Sequence, residues 1–421
     1  MLMAGEPSRR PSAIAVWAPP LALLLYGGFS VPAPPALGWA EAAIGALLAL
    51  AVGWRWPLAV ITGHALRAES PEQGEAVDRP VAVAALAWLL WVPLLRGAAV
   101  GADGVEILRD VVPLLYLFLP LLLVPALRRA GPSGVRGLAA GLALAGLLLA
   151  VRWWDQVRWG FGAVGARAMA DGDAYLLNAP SVLFAAVALP ALAITLVAGG
   201  GTGRWVWLGR WIGVPLCTVG GALCLGALAG AVHRTALGLA ALSLAMTALW
   251  WVRRRPWLAV PVALGLGLAT LVAGDALVGA WQQAAEKTRL TGVNARWDEA
   301  VAVIDHVTAS PWTLLLGDGW GARIANPAVG GWRVGYTHTL ASYSLLKTGL
   351  LGTLALVAYL GTLLVRPWRR LLALDPPLAF AVVPPLLMAL GLHTSFKYLD
   401  TGVVLSLLLL ASECRKGLSR S

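Results

Sequence analysis

Residues 338–370 read HTLASYSLLKTGLLGTLALVAYLGTLLVRPWRR. The first 28 carry one formal charge, Lys347, and the stretch then closes on Arg366, Arg369 and Arg370. As an α-helix, 28 residues reach about 42 Å, more than the roughly 30 Å hydrocarbon core of a bilayer. An apolar block of this length, with arginines gathered at one end, predicts a transmembrane span whose basic end faces the cytoplasm.

Outward from this block the pattern repeats. Apolar blocks lie near 13–31, 36–53, 82–96, 109–127, 134–152, 180–198, 204–230, 235–252, 256–275, 374–393 and 397–413. With the first block they predict an all-α polytopic membrane protein of about 12 transmembrane helices, a single integral membrane domain over 1–421. Composition agrees: 59% of residues are hydrophobic and 13% charged, with a mean hydropathy of +0.76. Soluble domains carry about twice that charge, so a soluble globular enzyme is excluded. Blocks of about twenty apolar residues equally exclude a disordered or coiled-coil chain.

The net charge of +11 does not point to nucleic acid, because the basic residues obey the positive-inside rule. With the N-terminus in the cytoplasm, 19 of the 32 Lys and Arg fall on that side, including Arg128/Arg129/Arg136, Arg253/Arg254/Arg255 and Arg366/Arg369/Arg370 in alternate loops. Twelve spans return the C-terminus to the same side. Cys217 and Cys224 are seven residues apart in one apolar block and too far apart for a disulfide, so they read as packing residues, as does Cys414.

Two loops of the opposite face are long, about 153–179 and 276–337. In the second, Trp297, Ala300, Val301, Ile304 and Val307 recur at helical spacing, predicting a surface helix with Asn294 as N-cap. Arg is preferred over Lys on this face, and its planar fork matches pairs of phosphate oxygens. Arg234 opens the eighth span, Arg296 the loop helix and His338 the tenth span. Helix N-termini disfavour cations unless an anion shares the site, so this face reads as a phosphate cradle. An alternative for Arg296 is an ion pair with Glu299. The same dipole favours a neutral imidazole at His338, able to accept a proton. Asp171-Gly172-Asp173 is a weak match to a metal-binding aspartate pair, and a solvated turn is the preferred reading. Trp153, Trp154, Trp159, Trp281, Trp312, Trp320 and Trp332 read mostly as an aromatic belt. Lys347, nine residues after His338, falls on the opposite helix face and requires a partner inside the bundle.

The stretch 331–352, GWRVGYTHTLASYSLLKTGLLG, resembles the motif of bacterial O-antigen ligases in the spacing of His338, Gly349 and Gly352, with Thr339 departing from the usual second residue. HRT at 233–235, ARWDEA at 295–300 and LLGDGWG at 315–321 resemble that family's span arginine, loop arginine and glycine-rich turn. The resemblance implies a GT-C-like glycosyltransferase of the inner membrane with a periplasmic site and no metal or other cofactor. It further implies inverting transfer of polysaccharide from undecaprenyl pyrophosphate to lipid A-core. On this reading His338 is the catalytic base and Gly349 and Gly352 are structural. Arg234 and Arg296 clamp the pyrophosphate, with Arg289, Arg167, Arg152 and Arg158 as weaker candidates. An O-antigen polymerase shares the donor and is hardly separated by motifs. A lipid-linked glycan transporter, the reading from another class, predicts internal repeats and charges at the bilayer midplane.

Overall fold

The computed structural model describes residues 13–32, 38–53, 57–58, 79–128, 130–158, 173–199, 204–265 and 295–413, with isolated positions between 266 and 285. The helices are α1 (Ala13–Phe29), α2 (Trp39–Val52), α3 (Arg79–Ala99), α4 (Gly104–Leu117), α5 (Leu119–Arg128), α6 (Pro132–Gln156), α7 (Pro180–Ala198), α8 (Arg204–Gly230) and α9 (Arg234–Arg254). After these come α10 (Ala295–Thr308), α11 (Pro311–Leu316), α12 (Leu340–Leu374), α13 (Pro376–Leu387) and α14 (Leu399–Glu413). A short hairpin, β1 (Ile324–Ala325) with β2 (Arg333–Val334), pairs Ile324 with Val334. It interrupts the long loop with the only strands among the described residues.

Seven helical segments among the described residues are long and apolar enough to cross a membrane: Pro80–Ala99, Gly104–Arg128, Pro132–Gln156, Pro180–Ala198, Gly209–Gly230, Arg234–Arg254 and Leu340–Leu374. Shorter apolar helices stand at the predicted spans near 13–31, 36–53 and 374–393, and Pro256–Gly265 covers the start of 256–275. The span predicted at 109–127 is two helices. Pro120 has no N–H to give the carbonyl of Tyr116, and the ladder breaks at Phe118 between α4 and α5.

Helix α14 is the pillar of the bundle, with Leu399 through Ser412 all buried. It packs against α4, α5, α6, α12 and α13. Outer helices turn Trp17, Leu21, Trp39, Leu50, Trp91, Leu95, Leu216 and Leu242 outward. A belt of large apolar side chains around a polar-poor bundle matches a lipid solvent. Cys217 and Cys224 are buried free thiols. Trp153, Trp154 and Trp320 are core residues and not part of an aromatic belt. The indoles of Trp154 and Trp320 donate to the carbonyls of Leu223 and Leu89, at 3.0 Å each. The Leu89 carbonyl is open because Pro93, four residues on, cannot donate to it.

The glycine-rich turn explains the second half of the motif. Helix α12 is kinked at Gly349, whose φ of 64° and ψ of −166° lie where only glycine is at ease. A side chain there would strike the backbone of Leu315 and Gly317. The kink opens the carbonyls of Leu346 and Lys347, and the amides of Asp318 and Gly319 donate to them at 3.0 Å each. Gly352, one turn further, is buried where a side chain would meet Thr348 and approach Leu89 of α3. Gly349→Ala is expected to cost about 2 kcal/mol from backbone strain alone, read as a lowered melting temperature of detergent-solubilised protein.

The loop helix predicted from 297–307 is α10. Of its apolar stripe Val307 is buried, together with Glu299 and Val303, while Trp297, Val301 and Ile304 are exposed. Asn294 lies outside the described residues.

Candidate functional site

His338 lies just before α12 and not in its first turn. Thr339 is the N-cap, its hydroxyl accepting from the amide of Ser342 at 3.1 Å. A hydroxyl at this position therefore starts the helix that follows the histidine. The dipole of α12 lies beyond His338, and the nearer influence is a carboxylate. Nδ1 of His338 stands 2.7 Å from Oε2 of Glu299, and the His338 amide donates to Oε1 at 2.7 Å.

Glu299 is buried at 1% exposure and receives a third hydrogen bond from Nδ2 of Asn326, at 2.6 Å. Asn326 is itself fixed, with its Oδ1 accepting from Ala328 N at 2.9 Å. Burial alone would raise the Glu299 carboxyl. The hydrogen bonds from the His338 side chain, the His338 backbone and Asn326 outweigh it and hold the group below its ordinary value. An ionised carboxylate can only accept, so Nδ1 of His338 donates to it, and in the neutral ring Nε2 is then the acceptor. That is the tautomer a general base needs, oriented by a buried acid.

The ion pair of Arg296 with Glu299, allowed by their i, i+3 spacing, does not form. Glu299 is occupied by His338, and Arg296 donates to the carbonyl of Leu392 at 2.7 Å while remaining exposed. The next residue, His393, places its ring 5.5 Å from that of His233. His233 caps α9, accepting from Ala236 N through Nδ1, and its Nε2 meets Oδ1 of Asn178 at 3.1 Å. Arg234, the first residue of α9, is exposed next to it. One joint at 392–393 thus gathers the N-terminal ends of α9 and α10.

The weaker arginine candidates are placed differently. Arg152 donates from Nη1 to the carbonyls of Gly27 and Ser30 at the end of α1, which commits it to closing that helix. Arg158 is exposed in the turn after α6, with a φ of 55°. Arg167 and Arg289 lie outside the described residues, as do Asp171 and Gly172. Asp173 caps the turn Ala174–Asn178 by accepting from Tyr175 N at 3.0 Å. Among the described residues no group of three or more His, Cys, Asp or Glu is placed to hold a metal ion.

No family model matches the chain, and no curated protein matches it.

The partner of Lys347 is Asp110 of α4, with Nζ 2.6 Å from Oδ2. Both are buried, and Asp110 also accepts from the hydroxyl of Tyr343 and the amide of Gly321, at 2.7 Å each. Lys347 further donates to the carbonyl of Ala322. This pair fastens the glycine-rich turn to α4 and α12. Sequence reasoning missed Glu299 as orienter, together with Asn326, Tyr336, His393 and Lys397. Its one available signal was a lone acid, Glu299, in register with Val303 and Val307 along α10.

Proposed function

We propose that this chain is an inverting glycosyltransferase of the O-antigen ligase type, moving polysaccharide from undecaprenyl pyrophosphate to the lipid A-core sugar. The observation that carries the reading is the buried Glu299 carboxylate, on the same helix as Arg296, against Nδ1 of His338. In this reading the chain has about 12 spans in a GT-C-like arrangement in the bacterial inner membrane. Both termini are cytoplasmic and the His338 end is periplasmic, in contact with membrane lipids.

The chemistry follows from the residues. Nε2 of His338 takes the proton of the acceptor hydroxyl as its oxygen bonds to the anomeric carbon from the face opposite the leaving group. The bond from that carbon to the phosphate oxygen breaks, and its electron pair leaves on the pyrophosphate. Guanidiniums and helix N-termini stabilise that charge without rearranging. The buried charged groups support an interfacial site over a transporter's midplane site. Asp110 is in the second turn of α4, Lys347 in the third turn of α12 and Asp400 in the first turn of α14.

One preparation tests the leaving-group account. Purified enzyme is expected to keep its transfer rate in excess chelator, whereas Arg234→Lys and Arg296→Lys should each lose about tenfold, since an ammonium cannot reproduce the paired fork. Loss of turnover on chelation with rescue by Mg²⁺ or Mn²⁺, alongside wild-type rates in both lysine variants, would replace the guanidinium account with a metal one.

A further inference from the structure

Lys397 ends the turn Thr394–Lys397 that leads into α14. Its Nζ stands 4.2 Å from the centroid of the Tyr343 ring, 5.8 Å from that of Phe396 and 6.0 Å from that of Tyr336. The Tyr336 ring in turn meets the His338 ring edge-on at 6.1 Å. The ammonium and the candidate base therefore flank the same tyrosine.

No carboxylate or carbonyl among the described residues answers this ammonium with an ion pair or hydrogen bond. The charged groups acting on it are Asp110, Lys347, Glu106 and Arg109. Asp110 is taken by Lys347, Tyr343 and Gly321. Glu106 is taken by Arg323 at 2.6 Å and Arg109 at 2.9 Å. Both carboxylates that act on Lys397 are thus already engaged by other cations. Aromatic faces replace only part of the hydration an ammonium gives up. Lys397 is only partly buried.

We propose that Lys397 is a phosphate-binding residue of the donor site, holding an oxygen of the lipid-linked pyrophosphate beside Tyr336. This rests on the transferase reading for the identity of the anion, but not for the anion site itself. A phospholipid headgroup offers the same oxygens, and the two sources separate experimentally.

The experiment titrates inorganic pyrophosphate into the purified full chain in detergent, by calorimetry, for wild type, Lys397→Met, Lys397→Arg and His338→Ala. Lys397→Met is expected to bind about ten- to a hundredfold more weakly, Lys397→Arg within a few-fold of wild type and His338→Ala like wild type. Wild-type affinity in a Lys397→Met protein of unchanged melting temperature overturns the proposal, as does a wild-type chain that binds no pyrophosphate. If the methionine variant melts lower, Lys397→Gln supplies the same comparison. Displacement of pyrophosphate by phosphatidylglycerol micelles would assign the site to headgroups and overturn the donor assignment. Lys397-dependent pyrophosphate binding in a chain that transfers no glycan would leave the anion site standing and remove the transferase reading.

Discussion

His338→Ala is expected to reduce glycan transfer by about a hundred- to ten-thousandfold, the range for removing a general base, while leaving the chain folded. The side chain is partly exposed, and the Glu299 contact to its backbone amide survives the substitution. Glu299→Gln should be nearly as damaging, for a different reason. An amide can donate to Nδ1, favouring the tautomer whose Nε2 already carries a proton and cannot take another. The loss should appear in kcat with KM little changed, because the substitution leaves the arginines in place. Transfer to a purified acceptor measures both: normal turnover in a well-folded His338→Ala variant would remove His338 from the mechanism, and normal turnover in Glu299→Gln would remove the orienting role of Glu299.

The dyad also sets a pH dependence. The Glu299 carboxyl is held below the ordinary glutamate range, so its contribution to stability is fully present above that range and lost as pH falls through the lowered one. Acidification from pH 7 to 5 should therefore leave the Glu299 contribution to the melting temperature intact, and further acidification should erode it.

The second large effect concerns stability. Asp110→Ala leaves the Lys347 ammonium buried without its counter-charge, and removes the acceptor of Tyr343 and Gly321. Breaking one side of a buried pair costs about 3–5 kcal/mol. Adding Lys347→Met should recover part of that loss, since no charge is then left stranded. Thermal melts of the two proteins in detergent decide the matter. A double variant no better than the single would mean that the cost lies in Tyr343 and Gly321 and not in the stranded lysine.

Hydropathy and the placement of arginines made the helices legible, because lipid imposes long apolar segments and each segment reports itself locally. The break at Phe118 was less visible, since two short helices and one long one share the same apolar content. In the candidate site, the motif located His338, Gly349 and Gly352, and helix starts located Arg234 and Arg296. What supports them was hidden by distance along the chain. Asp110 and Lys347 are 237 positions apart, and Glu299 and His338 are 39 apart. Periodicity carries no information about such pairs. It does locate α10, but it does not tell that Glu299 lies on the buried side while Trp297, Val301 and Ile304 are exposed.

The seam at Gly349 changes how the loop before α12 can be exchanged. Two amides from the 318–319 turn complete the hydrogen bonding of α12, so the loop is spliced into a span and not merely suspended between two. A chimera that swaps 276–337 alone would pair one protein's turn with another's kink. It would leave the carbonyls of Leu346 and Lys347 open in a region with little water to satisfy them. The transplantable unit therefore runs past the histidine to Gly352. Recombination boundaries placed there should give folded hybrids where boundaries at the end of the loop do not.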